Sequence, residues 1–152
     1  MSRSTEHLKR LLFPLVLALS GCAATPLARE VVVSKDAPAP IGPYSQAVRA
    51  GNLLFLSGQA GLDPKTGQLS GGSIEEQTTT ALENLKAVLA ANNMTMADIV
   101  STTVYLKDIG DFGKMNAVYA RFFPDKPPAR ATIQAARLPR DSLVQISAIA
   151  AR

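Results

Sequence analysis

The chain has 152 residues and a formal net charge of +4, and its length suits one domain with its own hydrophobic core. Three basic side chains and one acidic side chain fall in the first 21 residues, so the remainder carries only +2. This small excess gives no extended cationic surface, and nucleic-acid binding is not expected. The single cysteine, Cys22, excludes an internal disulfide.

Residues 1–21 have the organisation of a secretory signal peptide. A basic segment ending at Arg10 precedes the apolar run Leu11–Leu19, which is shorter than the roughly 20 residues that span a bilayer. The following Leu19-Ser20-Gly21-Cys22 resembles a bacterial lipobox, in which the cysteine is acylated. We therefore expect a leader over residues 1–21, a lipidated Cys22 with a short tether over 22–30, and one domain over 31–152.

The residue after Cys22 bears on the membrane that would hold the protein. Ala23 stands there, and the absence of Asp at this position favours the outer membrane, with the domain facing the periplasm. Several acyl chains would anchor it firmly, whereas one chain is marginal. Two alternatives remain: an ordinary cleaved signal peptide that releases a soluble periplasmic protein, and a misplaced start codon on a cytosolic one.

The domain lacks two side chains common in catalysis. The single histidine, His7, lies in the leader, and the single thiol belongs to Cys22. Ser-His and Cys-His nucleophilic pairs are therefore excluded from residues 31–152, as are zinc sites built on His or Cys. Acid–base chemistry there must use carboxylates, Tyr, Lys or bound water.

The first half of the domain predicts two strands and a helix. Val31–Val33 is a β-branched run, prolines then impose a turn over 38–43, and Asn52–Ser57 reads as a strand that ends at Gly58. Asp63–Gly67 has turn chemistry. Ser73 and Glu76 predict a capping box at the start of a helix. Its apolar face is predicted to contain Ile74, Ala81, Leu82, Leu85, Val88 and Leu89, before an end at Asn92-Asn93.

The second half predicts a strand, a helix and two further strands. Thr102–Leu106 is the strand, and Asp111 is the expected cap of the second helix. The final strands are expected near 130–136 and 143–150. The apolar stripe of the second helix is predicted to contain Phe112, Met115, Tyr119 and Phe122 or Phe123. This order indicates an α+β domain with two helices on one face of a mixed sheet. Oligomerisation is the simplest way to bury the other face.

Several separate motifs in this order resemble the RidA family, also called YjgF or L-PSP. They are Ile41-Gly42-Pro43-Tyr44-Ser45-Gln46-Ala47, Ser57-Gly58-Gln59, Asp63-Pro64-Lys65-Thr66-Gly67, Thr102-Thr103-Val104-Tyr105-Leu106-Lys107-Asp108, Pro128-Ala129-Arg130 and Ala136-Arg137-Leu138-Pro139. The resemblance implies a chorismate-mutase-like fold, a homotrimer with a ligand cleft at each subunit interface, and no metal or organic cofactor. It also implies hydrolysis of reactive enamines or imines, such as 2-aminoacrylate, to 2-oxo acids and ammonia.

The same resemblance assigns the site residues. Arg130 follows a proline pair, and without the resemblance it could be a solvated side chain at a strand end. In the family pattern, its planar guanidinium binds the substrate carboxylate. Tyr44 would line the cleft and hydrogen-bond ligand or water. The cleft wall would be formed by Ser57, Gly58 and Asn116. Thr132 would offer its backbone groups to the ligand beside Arg130.

One position departs from the family pattern. Gln145 stands where the family normally carries a glutamate that positions water, and Ser147 follows it on the same strand face. A glutamine can orient water but accepts no proton near neutral pH. If the family's glutamate acts as a general base, its loss costs roughly 10²–10⁴ in rate; if it only positions water, the cost is much smaller. The leading hypothesis is therefore a secreted deaminase, with a reduced rate in the first case. The alternatives are a non-catalytic binding module for small carboxylates, a chaperone-like envelope protein and, with least support, a ribonuclease.

Overall fold

The structure is a computed structural model that describes residues 27–152. Cys22 and the predicted leader lie outside the described residues. Within them, two helices lie on one face of a six-stranded sheet. The elements are β1 Arg29–Val32, β2 Ala47–Ala50, β3 Leu53–Ala60, α1 Ile74–Ala90, β4 Ile99–Leu106, α2 Phe112–Phe122, β5 Ala129–Gln134 and β6 Val144–Ala151.

The strands lie in the order β1-β2-β3-β6-β4-β5. All neighbours are antiparallel except β4 and β5, which are parallel. A parallel pair needs a crossover connection, and α2 supplies it. The predicted α+β fold, with two helices on one face of a mixed sheet, is confirmed.

The core lies between the sheet and the helices. The predicted capping box is present at α1: Glu76 N donates to Ser73 Oγ at 3.2 Å, and Ser73 N donates to Glu76 Oε2 at 3.1 Å. Every residue of the predicted apolar face is buried. The helix ends at Ala90, slightly before the predicted Asn92.

The last strand separates the two faces of the sheet. Val144, Ile146 and Ala148 belong to the core, whereas Gln145 and Ser147 alternate with them on the opposite face. This confirms the predicted alternation. The face without helices also exposes Val31 and Phe55.

The first three strands differ in detail from the prediction. The first strand is Arg29–Val32, and the short β2 was not predicted because its residues Ala47–Ala50 show little alternation. The strand β3 does not end at Gly58 but continues to Ala60. Its register with β6 shifts between Leu56 and Gln59, so the glycine marks a bulge and not a strand end.

The stripe of α2 also differs from the prediction. Met115 and Tyr119 are buried as expected, and Phe123 is the buried member of the phenylalanine pair. Phe112 was expected in the core but is 40 % exposed. It lies in the first turn of the helix, beside the edge strand β5, where Arg130 covers its ring. Among residues 27–152, no helix has the length and apolar character needed to cross a membrane.

Candidate functional site

A cavity of about 260 Å³ lies beside the bulge in β3. The loop before β2 forms one wall, and the turn before β6 forms another. Its lining includes Ile41, Tyr44, Ser57, Gly58, Arg140 and Gln145. The cavity thus contains four of the predicted site residues: Tyr44 from the loop before β2, Ser57 and Gly58 from β3, and Gln145 from β6.

Gly58 allows Gln145 to approach the bulge. Gln145 Nε2 donates to the Gly58 carbonyl at 3.3 Å. A Cβ on Gly58 would lie 2.8 Å from Gln145 Cδ, which is closer than a side chain tolerates. The contact fixes the amide and leaves Gln145 Oε1 as the acceptor for water or ligand.

The loop that forms the wall of the cavity is fixed by the buried side chain of Gln46. Its Oε1 accepts from Ser34 N at 2.7 Å, and its Nε2 donates to the carbonyls of Ser34, Ala37 and Pro38. Buried amides that satisfy several backbone groups specify one loop conformation. Gln46 belongs to the motif Ile41–Ala47, but nothing in the local sequence pattern predicts this role.

Two predicted cavity residues have defined partners. Ser57 Oγ donates to the Ser45 carbonyl at 2.7 Å, which ties β3 to the segment that carries Tyr44. Tyr44 Oη accepts from Ile41 N at 3.3 Å, and the side chain is 48 % exposed. The phenol therefore lies at the open side of the cavity and retains a proton that it can donate to a ligand.

Arg130 lies at the other edge of the sheet, against α2. Its guanidinium carbon is 4.5 Å from the Tyr119 ring centroid and 5.7 Å from that of Phe112. Tyr119 Oη and Thr102 Oγ1 share a buried hydrogen bond of 2.7 Å. The two rings orient the guanidinium by cation–π attraction and leave its N–H groups for a ligand.

The phenol of Tyr119 stays neutral near neutral pH. Burial raises its pKa above 10.0, and the Thr102 hydrogen bond and the Arg130 charge oppose that rise in part. The neutral ring therefore presents an electron-rich face to Arg130 over the whole physiological range.

Asn116 and Thr132 lie in the neighbourhood of Arg130. Asn116 is on α2, one turn after Phe112 and one before Tyr119, so it shares their helix face. Thr132 is two residues beyond Arg130 on β5 and points to the same side. Thr132 Oγ1 is buried and finds no hydrogen-bond partner among the described residues.

The predicted site residues therefore form two groups. Arg130, Thr132 and Asn116 lie where β5 meets α2, whereas the cavity lies where β3 meets β6. Three strand spacings separate β3 from β5, or about 14 Å at the usual spacing between strands. In addition, Arg130 is on the helix side of the sheet and Gln145 on the other. One subunit does not bring the guanidinium and the cavity together.

Residues 27–152 contain no cluster of three or more His, Cys, Asp or Glu side chains that could hold a metal ion. The cavity has a further charged residue that sequence reasoning missed, Arg140. It follows Leu138-Pro139 in a turn, and only the three-dimensional structure places it at the cavity.

Known proteins share the fold and much of the sequence. The family described as Endoribonuclease L-PSP matches residues 34–152. A RutC family protein of Pyrococcus horikoshii is 52 % identical over 122 residues, which are 80 % of this chain and 97 % of the relative. The mouse protein named 2-iminobutanoate/2-iminopropanoate deaminase is 48 % identical over 122 residues, covering 80 % of this chain and 90 % of its own.

Solved structures agree with the sequence relatives. Escherichia coli TdcF with bound serine superposes with a TM-score of 0.78 at 38 % identity, over 81 % of this chain and 98 % of its own. RidA from Psychrobacter sp. PAMC 21119 superposes with a TM-score of 0.79 at 37 % identity, over 81 % of this chain and 99 % of its own. Fold and cavity thus define a protein of the RidA-type α+β class. The chain belongs to the RidA/YjgF/L-PSP family.

Proposed function

We propose that the protein hydrolyses small 2-imino and 2-enamino acids to 2-oxo acids and ammonia. The observation that carries this proposal is the Arg130 guanidinium, held over Tyr119 at 4.5 Å. Arg130 makes no ion pair with the described residues, so its fork is available for a substrate carboxylate. Relatives named as imine deaminases in mouse and human support the reaction class.

The site is completed between subunits. Arg130 and the cavity lie on different faces of one sheet, and the face without helices exposes Val31 and Phe55. A homotrimer, as the family resemblance implies, would bury that face and bring Arg130 of one subunit to the cavity of the next. The substrate then binds Arg130 through its carboxylate and Tyr44 through its imine or enamine nitrogen.

Water is the nucleophile in this proposal. Gln145 Oε1 accepts a hydrogen bond from the water, which attacks the imine carbon and forms a C–O bond. The cavity lining contains no carboxylate, so the water's proton passes to the substrate nitrogen, directly or through a second water. The remaining hydroxyl proton then passes to the amine, the C–N bond breaks, and ammonia leaves as the 2-oxo acid forms. If the reaction needs a general base, the rate is roughly 10²–10⁴ lower than with a glutamate at position 145.

The test uses purified residues 22–152 with 2-aminoacrylate generated enzymatically in the assay. We expect faster release of the 2-oxo acid than in buffer, and loss of this acceleration in Arg130→Ala. Arg121→Ala, an exposed arginine of α2, is the matched control and should behave as wild type. Equal rates for wild type and Arg130→Ala would contradict the proposal.

The second candidate is a binding module for small carboxylates, and Gln145 is the observation that favours it. The Gln145 amide cannot accept a proton from water, which weakens the case for catalysis. Binding of a carboxylate by Arg130 needs no base and is unaffected. No acceleration by wild type, together with a clear gain in Gln145→Glu, would reject the deaminase and favour the module. Calorimetric titration with a 2-oxo acid would then measure binding directly.

For the N-terminus we propose acylation at Cys22 and anchoring in the cell envelope. The Pyrococcus relative is covered over 97 % of its length by only 80 % of this chain, and the family match begins at residue 34. About 30 residues of this chain thus have no counterpart in the alignment with this relative. Incorporation of labelled palmitate into wild type but not into Cys22→Ala would support the proposal. Wild-type protein in the cytosolic fraction would reject it.

A further inference from the structure

We propose that the cavity selects imino acids with a second acidic group, and that Arg140 binds the distal carboxylate. This inference rests on the proposed hydrolase function and names its substrate class. The substrate would be a short 2-imino dicarboxylic acid. Water adds to its C=N carbon, ammonia leaves, and the product is the 2-oxo dicarboxylic acid.

The charge of the cavity is the first observation. Arg140 is the single ionised side chain among the lining residues, all of which lie within the described part of the chain. No Asp or Glu accompanies it there, and Gln145 contributes a neutral amide. Like charges a few ångströms apart repel each other near a protein surface. A glutamate at position 145 would therefore oppose a second carboxylate, and the glutamine does not.

The backbone at Arg140 is the second observation. Arg140 has φ 56° and ψ 21°, and Asp141 follows with φ 57°. Two consecutive non-glycine residues in the left-handed region cost free energy, and such strain persists where the surroundings enforce it, often at ligand sites. Here it places the Arg140 side chain at the mouth of the cavity.

The turn is anchored on both sides of this strained pair. Leu138 and Ser142 are buried, and Asp141 N donates to the Leu138 carbonyl at 3.1 Å. The carboxylate of Asp141 pairs with Lys107 at 2.9 Å. Asp141 is thus engaged by Lys107, and Arg140 makes no ion pair with the described residues. Its guanidinium is available to a ligand.

The two arginines give the ligand two anchors. Arg130 of the neighbouring subunit takes the carboxylate next to the imine, and Arg140 takes the one at the far end. Each forms charge-assisted hydrogen bonds, which are stronger than neutral ones. A monocarboxylic imino acid would leave Arg140 without a partner, so the cavity favours the dicarboxylic ligand.

The experiment compares two imines made in the assay by a flavin-dependent amino acid oxidase, one from L-aspartate and one from L-alanine. We expect wild type to hydrolyse the aspartate-derived imine with a kcat/KM roughly ten- to hundredfold higher than that for the alanine-derived imine. This is the difference in affinity that one charge-assisted hydrogen bond typically gives. Arg140→Asn removes the charge and tolerates the left-handed backbone. It should lose this preference and keep its rate on the alanine-derived imine.

Two further variants control for structure and charge. Arg140→Lys keeps a cation and should keep most of the preference. Arg137→Ala removes an exposed arginine outside the cavity and should match wild type. An unchanged preference in Arg140→Asn, or an equal loss for both imines, would overturn the proposal.

A binding measurement separates this proposal from the hydrolase. Succinate and butyrate are added to wild type and Arg140→Asn during thermal unfolding. Stronger stabilisation of wild type by succinate, abolished in Arg140→Asn, supports the acidic subsite even if neither imine is hydrolysed. Hydrolysis of the alanine-derived imine without a preference for succinate or for the aspartate-derived imine rejects the subsite and leaves the hydrolase standing.

Discussion

The guanidinium carbon of Arg130 lies 4.5 Å from the centre of the Tyr119 ring, and the Tyr119 hydroxyl is held by Thr102 at 2.7 Å. The three side chains come from β5, α2 and β4. The carboxylate anchor of the proposed site is thus oriented by packing against a helix, before any ligand binds. Preorganisation of this kind reduces the entropy that binding costs.

Replacing Tyr119 tests that orientation. Tyr119→Leu removes the aromatic face, and cation–π attraction of about 0.5–2 kcal/mol corresponds to a two- to thirtyfold weaker affinity for a 2-oxo acid. Tyr119→Phe keeps the ring and should change affinity much less. Titration calorimetry measures both. Equal weakening in the two variants would show that the hydroxyl, and not the ring, positions Arg130.

The contact between Gly58 and Gln145 predicts that adding one methyl group at Gly58 disturbs the site. Gly58→Ala places a Cβ 2.8 Å from Gln145 Cδ and 2.9 Å from Nε2, so the amide must leave its position. We expect a loss of about 1–3 kcal/mol in unfolding free energy, as overpacking typically costs, and a lower rate of hydrolysis. Urea unfolding measures the first quantity. Gly72→Ala, whose Cβ meets no atom within 4 Å, is the control.

Gln46 is expected to determine the shape of the cavity wall. Gln46→Ala deprives Ser34 N and three carbonyl groups of their partner, and each unsatisfied buried group costs about 1–3 kcal/mol. We expect a clear loss of unfolding free energy and faster amide exchange over residues 34–44. Gln68→Ala, at an exposed position, should show neither effect. Unchanged exchange in Gln46→Ala would contradict the assigned role.

The capping box of α1 predicts a dependence of stability on pH. The hydrogen bonds from the Ser73 hydroxyl and the Ser73 backbone N–H lower the pKa of Glu76 below its ordinary value of 4.5. Desolvation opposes this shift in part, and the Gly72 backbone N–H adds to it. A lowered folded-state pKa gives stability that is present above pH 4.5 and lost as pH falls through the lower folded value. Urea midpoints of wild type and Glu76→Gln should converge on acidification. Parallel midpoints would contradict the pKa shift.

Much of the fold could be predicted because local patterns and tertiary packing agree there. Ser73 and Glu76 mark the start of α1, the alternation of β6 separates Val144 from Gln145, and both features appear as expected. The prediction of a strand end at Gly58 was wrong because glycine serves a bulge as well as a terminus. The prediction that Phe112 is buried was wrong because the spacing of apolar residues cannot show that the first turn of α2 lies beside the edge strand, where Arg130 covers the ring.

The sequence by itself determined the α+β class and the exclusion of His and Cys chemistry from the domain. These follow from residue identity and local periodicity, which need no partner element. The family resemblance added that Gln145 stands where a glutamate is usual. Only the tertiary structure decided that Arg130 stacks on Tyr119 at one edge of the sheet while Gln145 and Arg140 line a cavity elsewhere. The strand order and the left-handed turn at Arg140 decide this, and both arise from pairing and packing between segments distant in the chain.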